Sequence, residues 1–186
     1  TYLSQPKADS QVFLEIKAKD QEGVGRKFRL LSTPISILNF MTKGHLDASI
    51  TDTVVIEKVK KFHQDYKQAI KPRMYIYYDR YSLKEKKYIE GYNYNKIRIT
   101  IDQNLIYRDE NVSLFAGNQG APLLDDNTVI MEIKAPGNKP QWLQDILNKY
   151  GLMEHKFSKY SCAYHKSQGL PYAPRPSIES AGIAYA

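Results

Sequence analysis

Seven cationic side chains fall on the polar faces of predicted strands: Lys17, Lys27, Arg29, Arg80, Lys96, Arg98 and Lys134. Against them stand three carboxylates, Glu15, Asp102 and Glu132. An antiparallel sheet with one face in water accounts for a charged face on any one strand. The set is less easily explained, because solvated faces mix signs to limit repulsion between cross-strand neighbours. Something anionic is therefore expected to complete the balance. Arginine offers a planar fork for phosphate oxygens and lysine a point charge, a pairing that suits a chain of phosphates. The carboxylates are oxygen ligands of the kind Mg²⁺ and Mn²⁺ take, hard cations that bridge phosphate oxygens.

Periodicity shows which elements must position these residues. Over 11–19, Val12, Leu14, Ile16 and Ala18 share one strand face and Glu15, Lys17 and Lys19 the other. After a turn around Gly23 and Gly25, residues 26–32 set Lys27 and Arg29 opposite Phe28 and Leu30, completing a hairpin. A short helix with Pro34 near its start is expected within 33–50. A long helix over 53–70 follows from Val55, Val59, Phe62, Tyr66 and Ile70, capped by Asp52 and stopped by Pro72. Strands are predicted over 73–82, 96–102 and 128–135, with loops at 84–94 and 109–127. A helix over 140–150 begins at Pro140, ends at Gly151 and carries a stripe of Trp142, Leu143, Ile146, Leu147 and Tyr150. A last strand is predicted over 157–166, and 167–186 reads as a proline-containing tail. Residues 12–18 and 129–135 match at five of seven positions, giving two strands the same Glu-x-Lys pair.

Composition narrows the function classes. The 186 residues carry 27 Lys+Arg against 20 Asp+Glu, a formal charge of +7 that favours an anionic partner. A single cysteine, Cys162, excludes an internal disulfide and a cysteine-based zinc site, and reads as a small core residue. No apolar run approaches the ~20 residues of a membrane-spanning helix. With no basic-then-apolar leader visible, the expected location is cytoplasmic. The 15 tyrosines keep RNA in view, but no RNP-like signature accompanies them and strand tyrosines ordinarily pack, so no nucleic acid partner is expected. The four histidines lack metal-ligand spacing, and the stretch from Gly117 to Gly120 is not followed by the Gly-Lys-Ser/Thr of a P-loop.

If the strands close into a barrel with apolar faces outward against the two longer helices, the charged faces line its interior. Unpaired buried cations are costly, so such a tunnel makes sense only when filled by anions and water. Alternation alone does not separate a tunnel from an open sheet.

In order and spacing, Phe13-Leu-Glu-Ile-Lys17, Lys27-Phe-Arg29, Tyr78-Asp-Arg80, Ile97-Arg-Ile-Thr-Ile-Asp102, Val129-Ile-Met-Glu-Ile-Lys134, Pro140-Gln-Trp-Leu143 and Lys156-Phe-Ser-Lys-Tyr160 resemble the VTC domain. This is the polyphosphate polymerase branch of the triphosphate tunnel metalloenzymes, and the resemblance runs from about Val12 to Tyr164. It implies an α+β fold, an antiparallel β tunnel or barrel with flanking helices. It also implies phosphate-binding roles for Lys17, Lys27, Arg29, Tyr78, Arg80, Arg98, Lys134, Lys156, Ser158 and Lys159. Arg80, Arg98 and Lys159 would act in the transfer itself, and Glu132, with Glu15, would hold Mn²⁺ or Mg²⁺.

The implied activity is metal-dependent polyphosphate synthesis from a nucleoside triphosphate. The alternatives are a tunnel triphosphatase and a non-catalytic polyphosphate-binding module. The family fold begins with strands, one bearing Arg-x-Arg, that are not found ahead of Glu15-Ile-Lys17. The chain is therefore expected to be truncated, with 1–166 a partial domain and 167–186 a tail, and the resemblance is taken to be to a bacterial member. A separate N-terminal segment or a homo-oligomer would complete the barrel.

Overall fold

A computed structural model of the chain describes residues 6–19, 25–66, 70–84, 97–135 and 138–176. They form two compact units, Thr1–Arg73 with Val112–Gly117, and Met74–Asn111 with Asn118–Ala186. Lys96, the turn at Gly23, the last part of the helix predicted to reach residue 70 and the end of the tail lie outside the described residues.

The first unit is built on the hairpin of β1 (Val12–Lys19) and β2 (Gly25–Ser32), paired antiparallel with Leu14 opposite Leu30 and Glu15 opposite Arg29. Alternation gives it one apolar face, and two helices cover that face. α1 (Pro34–Lys43) starts at Thr33, whose hydroxyl accepts from the Ser36 N–H, and ends at Gly44 with φ 68°. That left-handed conformation suits glycine at a helix C-cap. α2 (Thr53–Asp65) is capped by Asp52, which accepts from the Val55 N–H at 2.9 Å. Ile16, Leu30, Phe40, Ile50, Val55 and Val59 form the buried core. Each such side chain contributes about 1.5–3 kcal/mol when fully removed from water. α2 ends at Asp65, short of the predicted boundary, with Tyr66 already extended.

The second unit centres on β4 (Arg98–Arg108). It pairs antiparallel with β3 (Tyr75–Lys84) on one side, and with β6 (Ile130–Lys134) and β5 (Ala121–Pro122) along the other. α3 (Gln141–Lys149) follows, with Pro140 as its N-cap; it buries Leu143 and leaves Trp142, Ile146 and Tyr150 exposed. β7 (His155–Lys156) pairs with β8 (Arg175–Pro176), which lies in the stretch read from sequence as a tail.

The segment predicted as a last strand is instead helix α4 (Lys159–Ser167). Ser158 caps it, accepting from the Ser161 N–H at 3.2 Å, and Cys162 and Ala163 are its buried residues. They pack with Leu105 and Leu123. Burial pushes the Cys162 thiol pKa up, as fits an inert core residue.

The barrel implied by the family resemblance is not found among the described residues. Among the described residues the strands form separate open sheets: the β1–β2 pair, the four strands around β4, and the short β7–β8 pair. Alternation fixes which residues share a face but not which edges meet, and closure needs every edge strand paired. In the second unit the face bearing Arg80 is also not purely charged. Beyond Tyr78 it becomes the apolar bed of Met74, Ile76, Leu105 and Tyr107 on which α4 lies.

A bulge makes that change of character possible. Register shifts between Tyr77 and Asp79, and Asn104 opposite them adopts φ 52° while its amide donates to Asp79 at 2.8 Å. The extra residue turns both Asp102 and Leu105 inward, although regular alternation would set them on opposite faces. Asp102 then meets Arg80, and Leu105 meets α4.

Candidate functional site

The first unit gathers one charged set. On the exposed face of the hairpin, Lys17 and Lys27 stand directly opposite each other, and Arg29 stands opposite Glu15. Arg29 Nη2 donates to Glu15 Oε1 at 2.5 Å, and Lys27 Nζ lies 3.8 Å from the same oxygen. The Arg29 guanidinium also sits 4.5 Å above the Phe13 ring. Burial works against ionisation of Glu15, but the Arg29 hydrogen bond and the charges of Lys27, Arg29 and Lys17 outweigh it and lower the pKa.

The second unit gathers the richer set. Arg80 and Asp102 are register partners, as are Thr100 and Glu132, and Arg98 lies between Lys84 and Lys134. Pairing across antiparallel strands puts these residues on one face. Lys159 reaches it from the start of α4, with Nζ 2.6 Å from Asp102 Oδ2. Five cations, Arg80, Lys84, Arg98, Lys134 and Lys159, thus share the face with two carboxylates.

The densest point is Asp102, which is fully buried. Arg80 grips it with Nε on Oδ1 at 2.5 Å and Nη2 on Oδ2 at 2.7 Å. Desolvation raises the cost of its charge, yet the hydrogen bonds from Arg80 and Lys159 hold its pKa below the usual carboxylate range. The same bond, against desolvation, raises the Arg80 pKa further, with Tyr78 and Glu132 adding to it. The Tyr78 ring is shared, with the Arg80 guanidinium 5.0 Å and Lys159 Nζ 4.8 Å from its centroid. Thr100, two residues before Asp102 on β4, is buried with its hydroxyl lacking a hydrogen-bond partner.

The remaining residues implied by the resemblance stand apart in role. Ser158 is engaged in capping: its hydroxyl accepts from Ser161, and its N–H donates to Tyr172 Oη at 3.0 Å. Lys156 lies on β7, where His155, Ser158, Ser161, His165 and Tyr172 join it around a cavity of about 600 Å³. One member of the charged face escaped the sequence: Lys84 lies beyond the predicted strand end. Asp102 stood among the charged residues, but its buried position between Arg80 and Lys159 was not read there.

The metal-binding expectation is corrected. Glu132 pairs with Lys134 at 3.2 Å, and Glu15 is engaged by Arg29 and Lys27. Among the described residues no group of three or more His, Cys, Asp or Glu is placed to hold a metal ion. Asp102 spends its oxygens on two cations. These residues do not form a metal site of the expected kind.

An open antiparallel sheet whose polar face concentrates cations around a buried carboxylate is suited to binding a polyanion. The chain belongs to the VTC domain family, whose sequence profile matches residues 1–167. No curated protein and no solved structure matches it. Family membership points to a role related to polyphosphate or nucleoside triphosphates and hints at enzymatic potential and divalent-metal use; it carries neither a bacterial origin nor a truncation. Among the described residues no helix is long and apolar enough to cross a membrane.

Proposed function

We propose that this chain binds the phosphate chain of a nucleoside triphosphate or of polyphosphate, and that the protein containing it extends polyphosphate. The supporting observation is the excess of cations on the β3–β4–β6 face, in a chain of this family. In the transfer, a terminal phosphate oxygen of the polymer forms a bond to the γ-phosphorus. The bond from that phosphorus to the β-phosphate oxygen breaks, and the nucleoside diphosphate leaves. Such reactions depend mostly on positioning and on neutralising charge over the phosphoryl oxygens. Arg80, Arg98 and Lys159 are assigned that work, with Tyr78 and Lys134 beside them. Lys17, Lys27 and Arg29 are assigned phosphate contacts on the first unit by itself, and Lys156 and Ser158 further contacts on the second. The family reading carries Mn²⁺ or Mg²⁺ with it, and no step here depends on a protein-held metal.

A second reading, a polyphosphate-binding module without turnover, is favoured by one observation: the carboxylates Glu15, Asp102 and Glu132 are all engaged by cations. The full chain incubated with ATP and Mn²⁺ separates these readings. Long polymer is the expected product. Free phosphate alone would mean a triphosphatase, and tight tripolyphosphate binding without turnover would mean the module. Absence of any phosphate-chain binding would overturn the proposal.

A further inference from the structure

We infer that Asp102 is a positioning residue, the buried anchor that sets the Arg80 fork and the Lys159 ammonium side by side for a common phosphate ligand. The inference rests on the phosphate-binding reading above. Two cations held close together repel each other, and long side chains lose rotamer freedom when fixed. A carboxylate with 1% side-chain exposure, bridging both, offsets the repulsion and removes the freedom before any ligand arrives.

The geometry leaves donors unused. Arg80 spends Nε–H and one Nη2 hydrogen on Asp102, so both Nη1 hydrogens and the second on Nη2 can meet another acceptor. Lys159 likewise gives one hydrogen to Asp102 and keeps the others. Both side chains retain partial access, with exposures of 29% and 22%. The Tyr78 ring, in reach of both, restricts them further. Asp102 itself has no exposed surface to offer a ligand. It acts through the two cations and does not touch phosphate.

A double-mutant cycle on inorganic tripolyphosphate affinity, read by calorimetry on the full chain, tests this. Asp102→Asn should weaken binding at least tenfold. In an Arg80→Ala, Lys159→Ala background the same substitution should change affinity less than about twofold, because nothing remains to position. Unchanged or tighter binding by Asp102→Asn, or an equal loss in both backgrounds, overturns the inference while leaving phosphate binding intact. A wild-type chain that ignores tripolyphosphate overturns the functional reading itself, and this inference with it. Should Asp102→Asn not fold, the wild-type Arg80 Nε–H resonance serves instead. It should stay slow to exchange when tripolyphosphate is bound, and its release on binding would show the ligand displacing Asp102, contrary to the inference.

Discussion

Lys159 Nζ lies 2.6 Å from Asp102 Oδ2, so an ion pair fastens the start of α4 to the middle of β4. Three and four residues on, Cys162 and Ala163 pack against Leu105 and Leu123. The helix is held by charge at one end and by apolar contact along its length. Lys159→Met should remove the first hold and keep the second. The loss is expected to be about 1–3 kcal/mol, the usual worth of a hydrogen bond to a buried charge. Denaturant unfolding measures it directly, and an unchanged midpoint would show that α4 does not depend on the pair.

Acid should loosen the second unit. The Asp102 pKa is depressed in the folded chain, so its contribution is fully present above the ordinary carboxylate value of about 3.9 and is lost as pH falls through the lower folded value. Glu15 shifts in the same direction and adds to the effect through the hairpin. Melting temperatures taken from pH 6 down to pH 2 should fall most steeply below about pH 4. Asp102→Asn should flatten that fall, and a parallel curve would contradict the role given to the carboxylate.

The buried hydroxyl of Thr100 has no partner to lose. Valine keeps the β-branched shape that a strand favours and removes the unpaired group. Thr100→Val is therefore expected to stabilise the chain by about 1 kcal/mol. Tripolyphosphate affinity should not change. A destabilised variant would reveal a partner for the hydroxyl.

Gly120 is fixed by proximity to β4. A Cβ placed on it would lie 2.5 Å from the Tyr107 carbonyl oxygen, and backbone does not yield as a side-chain tip does. Gly120→Ala should cost about 1–3 kcal/mol, in the range of an overpacked site. The same substitution at Gly25, where a Cβ meets nothing within 4 Å, should cost far less, and thermal melts of the two variants make the comparison.

How far these features could be read from the sequence follows the physics of each element. The hairpin was legible because Val12, Leu14 and Ile16 alternate without a break against Glu15 and Lys17. α2 was legible from its Asp52 cap and its three- and four-residue steps. β4 was read only to residue 102, because the bulge at Asn104 interrupts the period of two that identifies a strand. α4 was mistaken for a strand because its tyrosines favour β structure, while the sign that mattered was Ser158 capping a short helix with small residues Cys162 and Ala163 inward. Barrel closure could not be read at all, since strand faces carry no record of which edges meet. Of the candidate site, Arg80, Arg98 and Lys134 followed from alternation and Lys159 from family likeness. The link between Arg80 and Lys159, Asp102 on β4 held from β3 and α4, is a three-dimensional relationship.

The central claim is that the β3–β4–β6 face binds a chain of phosphates. Calorimetric titration of inorganic tripolyphosphate into the full chain tests it most directly, with Arg80→Ala, Arg98→Ala and, as a control on the exposed surface of α2, Lys60→Ala. Saturable binding is expected, weakened at least tenfold by each arginine substitution and within about twofold of wild type for Lys60→Ala, with affinity falling as salt is raised. Binding that is absent, or that the three substitutions weaken alike, would contradict the account.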